Sequence, residues 1–147
     1  MKHFYSRAEC SGALLLAVYR GKAAEGMDFK DRQARAIVAV GIPFPNIGDI
    51  AIKGKMEYND RYSREKNILG GHEWLKIQAY RALNQAVGRC VRHKDDWGAV
   101  LLVDSRLAEQ DARQNLPTWV KGALERNSNP TFESLQDFFK RMSLEDK

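Results

Sequence analysis

The segment ARAIVAVGIPFP, residues 34–45, sets an unbroken apolar run, Ala36–Val40, against a glycine at Gly41 and the prolines Pro43 and Pro45. A short run containing β-branched residues and closed by turn formers reads as a strand. The absence of polar alternation marks it as buried on both faces, as in a parallel sheet. Two further runs have this character: GALLLAVY at 12–19 and WGAVLLVD at 97–104, the latter ended by Asp104. Long helical stretches separate the second and third runs. Strands alternating with helices argue for an α/β architecture with crossover connections. Three strands are few, since sheets of this kind usually carry about five or more, so a partial parallel sheet flanked by helices is expected.

The helical stretches carry their own signatures. Residues 50–67 are charged and helical in part, and LGG at 69–71 interrupts the pattern. A long helix then begins near His72, with Leu75, Ala79, Ala82, Leu83, Ala86, Val87, Cys90 and Val91 as its apolar stripe. Beyond the third strand, residues 104–113 form a loop and short helix and Pro117 opens another. NSNP at 127–130 makes a turn, and Phe132, Leu135, Phe138, Phe139 and Met142 give the last helix an apolar face. No internal repeat or linker divides the chain, so residues 1–147 read as one unit, with 107–147 as its helical extension.

The bulk numbers fit one ordinary globular domain: 147 residues, 44% hydrophobic and 29% charged, with a formal net charge of +5. That charge mildly favours polyanionic partners. The longest apolar run, Ala13–Val18, is too short to cross a bilayer. The opening MKHFYSRAEC has no apolar stretch after its basic residues, so neither a signal peptide nor a membrane partner is expected. Cys10 and Cys90 lack metal or disulfide spacing, and Cys90 reads as a buried small residue. His3, His72 and His93 show no ligand spacing, so no metal site is expected within the chain.

Four stretches could carry chemistry. YRGKAAEGMDF, residues 19–29, follows the first strand, where open α/β sheets place ligands. Gly21 and Gly26 punctuate it; Arg20 and Lys22 are cationic, Glu25 and Asp28 acidic. It is not a phosphate-binding P-loop, because Leu16 stands where the first glycine belongs and Ala23 where a Ser or Thr is needed. On composition alone, a glycine-containing strand–helix connection with solvated charges is the better reading of it. The second stretch is the row Arg81, Gln85, Arg89 and Arg92 beside the apolar stripe of the long helix. Most charged stripes are solvated faces. Here, however, arginine recurs where a planar fork suits bidentate phosphate binding. Gly88, which costs about 1 kcal/mol in a helix interior, also calls for a reason. The third is IPFPN, 42–46, a stiff loop. The fourth is DSR, 104–106, where Asp104 either caps the following turn or pairs with Arg106. All four lie at C-terminal strand ends or on the helix entering the last strand, so they are expected to gather along one edge of the sheet. No paired carboxylates and no Ser/His/Asp or Cys/His set appears, which argues against a self-contained hydrolase.

These residues resemble a known family. ALLLAVYRGKAAEGMDF (13–29) resembles motif V, and QAYRALNQAVGRCVRHKDDWGAVLLVDSR (78–106) resembles motif VI, of superfamily 2 helicases. The variant is that of the XPD/FANCJ/DinG family, and AYRALNQAVGRCVRH with DWG, GIPFPN and YND is most similar to the FANCJ form. The resemblance implies the C-terminal part of a second RecA-like motor domain, incomplete at its N-terminal side, from an ATP-dependent 5′→3′ DNA helicase of nuclear DNA repair. It implies motif VI roles for Gln85, Arg89 and Arg92, with Arg92 as arginine finger and Arg89 beside it on the γ-phosphate. Gly26 and Asp28 would lie near the nucleotide, and Gly88 would permit close approach to it. Arg20, Gly21 and Lys22 would lie near DNA.

The implied partners are single-stranded or forked DNA, the first RecA-like motor domain and DNA-repair proteins. ATP and Mg²⁺ would be held mainly by that first domain. The chain contains no Walker A motif, no DEAH-type motif and no four-cysteine iron–sulfur segment. On its own it is therefore expected to be inactive, as the end portion of a longer helicase. A stand-alone nucleic-acid-binding or regulatory module is the alternative.

Overall fold

The computed structural model describes residues 2–21, 26, 29, 33–91, 93, 95–124 and 131–145. Helix α1 (Lys2–Cys10) precedes strand β1 (Ala36–Val40). Helices α2 (Ile50–Lys66) and α3 (Gly71–Val87) follow and lead to strand β2 (Ala99–Val103). A 3₁₀ turn at Ser105–Ala108 and helices α4 (Gln110–Gln114), α5 (Thr118–Ala123) and α6 (Phe132–Glu145) complete the order. β1 and β2 pair in parallel, with Val38 opposite Leu101. The fold is a partial α/β sheet flanked by helices, as the alternation of runs implies.

The apolar run at 12–19 departs from the expected strand. Residues 12–18 adopt no regular structure, and Leu14, Leu16 and Val18 are 83%, 84% and 76% exposed. An apolar run states a demand for burial; a strand also needs a hydrogen-bonding neighbour. Among the described residues the sheet consists of β1 and β2 alone.

The core lies on one side of this pair. Ala39 and Ile42 meet Ala79, Tyr80, Leu83 and Val87 of α3. Leu107, Ala112, Leu116 and Val120 close the far end, with Ile37, Val100 and Leu102 packed against the cluster. The stripe read from sequence thus faces the sheet, and Cys90 is buried as expected. On the other side Val38, Val40 and Val103 stay exposed.

Two close approaches hold the helices in place. Asp49 caps α2, accepting from the Ala51 and Ile52 amides at 2.8 and 3.4 Å. Asn67, in the left-handed region at φ 49°, ends it. The chain then turns back so sharply that a Cβ on Gly71 would lie 2.7 Å from the Met56 carbonyl oxygen. The Gly71 amide donates to Asp60 Oδ1 at 2.7 Å, and buried Asn59 donates through Nδ2 to the Leu69 carbonyl at 2.9 Å. The YND triplet therefore fastens the LGG turn.

At the other end of α3, Cys90 sits against Gly98, where an added Cβ would collide with its Sγ and lie 3.1 Å from the Arg35 carbonyl. Arg35 bonds Asp96 Oδ1 and the Trp97 carbonyl, both at 2.7 Å, and lies over the Trp97 ring. Phe138 and Phe139 of α6 pack against the same indole.

Gly98→Ala should lower stability by about 1–3 kcal/mol through overpacking. Cys90→Ala in the same chain should recover part of that loss, giving a coupling of about 0.5–3 kcal/mol. Urea unfolding of the wild type, both single variants and the double variant measures it; strictly additive losses would show that the two sites do not share this contact.

Candidate nucleotide and nucleic-acid interface

The candidate residues are positioned by α3, which runs opposite to the strands it packs on. Its first turns, with His72, Glu73 and Lys76, share an open hollow of about 450 Å³ with Ile42, Phe44, Arg106 and Glu109, at the C-terminal ends of the strands. Its last residues lead to Cys90, whose Sγ lies 3.5 and 3.7 Å from the Ala34 and Ala99 carbonyls, at the N-terminal ends. The four stretches therefore do not gather along one edge, because IPFPN and DSR lie at one end of α3 and Arg89 at the other.

The arginine row is not one helical stripe either. α3 ends at Val87 and Gly88 is its C-cap, with φ −65° and ψ −1°. The chain then tightens, with Arg89 N donating to the Ala86 carbonyl at 3.2 Å and Cys90 N to Val87 at 3.1 Å. Such three-residue spacing belongs to a 3₁₀ turn, which advances about 120° per residue rather than 100° and turns Arg89 away from the helical stripe. Arg81 and Gln85 remain on the exposed face of α3, in a shallow hollow of about 560 Å³ with Ile77, Tyr80, Asn84 and Asn115. Arg89 is half-buried in the turn. Arg92 lies outside the described residues. Gly88 is thus a terminator and not an interior glycine; the atoms that an added Cβ would meet are the Asn84 and Gln85 carbonyl oxygens.

The stretch at residues 19–29 begins in a tight turn. Gly21 N donates to the Val18 carbonyl at 3.2 Å, and a Cβ on Gly21 would lie 3.0 Å from Val18 Cγ2. Arg20 sits between them at φ 61°, a left-handed conformation that costs a non-glycine residue about 1 kcal/mol or more. Its guanidinium reaches over α3 and donates to the Gln78 carbonyl at 3.0 Å. The Tyr19 hydroxyl donates to the Gly41 carbonyl at 3.1 Å; burial, and then the charge of Asp104, raise its pKa. The loop is thereby tied to the end of β1. Gly26 is exposed. Lys22 and Asp28 lie outside the described residues.

Asp104 satisfies both readings of the DSR triplet. Its Oδ1 accepts from the amide and Nε of Arg106, each at 2.9 Å, while Oδ2 accepts from Arg106 Nη2 at 2.5 Å and from the Ile42 amide at 2.9 Å. One carboxylate therefore caps the 3₁₀ turn, pairs with Arg106 and joins the ends of both strands. Arg106 also lies over the Phe44 ring, 5.1 Å from its centroid, so IPFPN and DSR form a single cluster. Sequence reading missed Tyr80, which is buried yet lines both hollows. Its place one residue after Ala79 on the apolar stripe was the available signal.

Comparison with known proteins decides the family. The helicase C-terminal domain family matches residues 1–123. The chain belongs to that family. It is 45% identical over 139 residues to a Fanconi anemia group J protein homolog of Gallus gallus, an alignment covering 92% of this chain and 11% of the relative. It is 44% identical over 128 residues to regulator of telomere elongation helicase 1 of Bos taurus, covering 82% of this chain and 10% of that protein. A Drosophila melanogaster homolog of the latter is 41% identical over 147 residues, covering 95% of this chain and 15% of the relative. This helicase C-terminal domain thus sits within the XPD/FANCJ family and spans a small fraction of the length of the curated relatives it matches.

The hydrogen bonds from Arg106 lead the causes that hold the Asp104 carboxyl well below the usual carboxylate range; burial opposes them, and the Ile42 amide adds to them. A depressed folded-state pKa contributes stability above the unfolded value of about 3.9, and that contribution is lost as pH falls from there towards the folded value. Asp104→Asn should therefore melt lower than wild type at neutral pH, and the gap should narrow below about pH 4. Thermal melts of both proteins from pH 7 to 2.5 test this, and a gap that stays constant would refute the assignment.

Proposed function

We propose that this helicase C-terminal domain is the motif V and VI portion of a 5′→3′ DNA-repair helicase in the nucleus, completing an ATP site built mainly by the first motor domain. The observation carrying this reading is that Arg89 stands in a non-helical turn at the end of α3, three residues before Arg92, in a chain of this family. A guanidinium so placed can meet phosphate oxygens with a planar pair of donors. In the proposed complex Arg92 acts as arginine finger, Arg89 holds the γ-phosphate beside it, and Gln85 orients the reacting groups. Gly26 and Asp28 border the nucleotide, and Gly88 brings the turn up to it. Arg20, Gly21 and Lys22 contact the DNA backbone, with strain at Arg20 fixing the direction of its side chain.

The donor set fits a contributing half-site. Leu16 stands where a phosphate-binding loop needs its first glycine. Asp104 already accepts from Arg106 and the Ile42 amide, which leaves it committed within this chain, and the carboxylates that would hold Mg²⁺ are assigned in this proposal to the first motor domain. When bound, Mg²⁺ offsets phosphate charge. An iron–sulfur cluster does not fit this chain, whose cysteines are the exposed Cys10 and the buried Cys90. The isolated chain is accordingly inactive as an ATPase.

The test uses a two-motor-domain protein carrying this chain. Arg92→Ala and Arg92→Lys should each lower ATP turnover by about 10³–10⁵, since lysine keeps the charge but loses the fork. DNA binding should persist, and Arg81→Ala should remain close to wild type. Near-wild-type turnover in Arg92→Ala together with weak DNA binding would overturn the orientation proposed here. ATP turnover by the isolated chain that survives Arg92→Ala would overturn the half-site reading.

A further inference from the structure

Helix α2 carries a feature that motifs V and VI leave unused. Lys55, Tyr58, Tyr62 and Lys66 follow one another at spacings of three and four, which sets them on one face of the helix. The Tyr58 and Tyr62 rings lie 4.7 Å apart between centroids, inclined at 45°. Lys66 Nζ stands over both, 5.0 Å from the Tyr58 centroid and 4.7 Å from that of Tyr62, and donates to the Tyr58 hydroxyl at 2.6 Å. Lys55 Nζ lies 5.3 Å from the Tyr58 centroid. Lys55, Tyr58 and Lys66 are exposed, and Tyr62 is half-buried.

The packed side of α2 adjoins this face: Asn59, four residues after Lys55, is buried, and the Asp60 carboxylate, further round the helix, is engaged by the Gly71 amide. Glu65 stands four residues after Arg61, where helical spacing sets it beside a cation. Two tyrosines held in a close, tilted contact with ammonium groups over them combine the two elements that recognise an unpaired nucleic-acid strand. The rings offer faces to bases, and the cations lie within reach of the phosphates between them. Double-stranded DNA hides its base faces and would use only the lysines. An acidic peptide would likewise leave the rings without a role.

We propose that the Lys55–Tyr58–Tyr62–Lys66 face of α2 is a second contact for single-stranded DNA, distinct from the Arg20 loop, in which bases stack on the tyrosines and the lysines bind phosphates. It rests on the reading of this domain as part of a DNA helicase. A base enters by taking the place of the Lys66 ammonium over a ring, which frees that ammonium for the adjoining phosphate.

Fluorescence anisotropy of the 147-residue chain with labelled oligothymidylate, and with an abasic sugar–phosphate strand of equal length, tests the proposal. Tyr58→Ala should weaken oligothymidylate binding about tenfold, while Tyr58→Phe, which keeps the ring, should stay within about twofold of wild type. Lys66→Ala should lower the slope of log affinity against log salt by about 0.7. On the abasic strand the effect of Tyr58→Ala should vanish and that of Lys66→Ala should remain. Circular dichroism verifies that each variant is folded, and Lys53→Ala, on the opposite side of α2, is the control.

Wild-type binding that is indifferent to Tyr58→Ala but reduced by Arg20→Ala would overturn this site and keep the DNA-binding reading. Equal losses from Lys53→Ala and Lys66→Ala would reduce the face to diffuse attraction and overturn it. Displacement of the strand by polyglutamate, with equal sensitivity to Tyr58→Ala, would assign the face to an acidic peptide instead. A wild-type chain that binds no DNA would overturn both readings.

Discussion

Two parallel strands cannot be joined by a tight turn; the chain leaving the end of one must travel back to the beginning of the next. β1 and β2 are such a pair, and α3 makes the return journey. Everything carried by α3 inherits this direction. His72, Glu73 and Lys76 fall beside the ends of the strands, and Gly88–Cys90 beside their starts. Arg20 contacts the Gln78 carbonyl, nine residues before Val87, which at 1.5 Å rise per residue is roughly 13 Å from the end of the helix. The separation of the Arg20 loop from the Arg89 turn is therefore a consequence of sheet topology. In the complex proposed above, it sets the nucleotide contact and the nucleic-acid contact apart.

The direction of α3 is secured at both ends by atoms in close contact. At its start the backbone of Gly71 lies against Met56, and Asn59 and Asp60 take up polar groups that the reversal exposes. At its finish Cys90 fills the space above Gly98. Burial, followed by the nearby Asp96, raises the Cys90 thiol to about 11, against the opposing effect of Arg35. The sulfur therefore stays protonated and acts as a packing group, not a nucleophile. Arg35 and Trp97 extend this anchor to α6 through Phe138 and Phe139, so the last helix is coupled to the same junction that orients the Arg89 turn.

Much of this was legible in the residues. Ala36–Val40 was read as a strand and is one; the run at 97–104 holds β2, and the pattern that starts near His72 is α3. Apolar periodicity works there because each element has a partner surface within the chain. At 12–19 it misleads, since hydrophobicity records what must be buried and not which strand lies alongside. The spacing of the arginine row misleads for a different reason. Spacing of four and three residues defines a face only while the backbone keeps its helical rotation, and Gly88 ends that rotation between Gln85 and Arg89. Asp104 was legible in kind, because a carboxylate two residues before an arginine at the end of a strand can cap or pair. Its bond to the Ile42 amide depends on strand register, which no local pattern contains.

The sheet is covered on one face. Ala39, Ile42 and the α3 stripe bury each other, while Val38, Val40 and Val103 on the opposite side remain exposed. Full burial of a valine or leucine side chain is worth about 1.5–3 kcal/mol, so each residue left open forgoes a contribution that a two-sided sheet would have. Stability within this chain must come largely from the single layer of α3 against the strands. That layer has little tolerance for a shift of the helix, because among the described residues its contacts are not duplicated on the other face. The glycines at 71 and 98 and the clamp residues Asn59, Asp60 and Arg35 lie at the ends of α3, where a small displacement would tilt the whole layer. The residues that hold the fold and those that aim Arg89 are consequently the same few, and a change at Gly98 or Cys90 acts on packing and on the orientation of the Arg89 turn together.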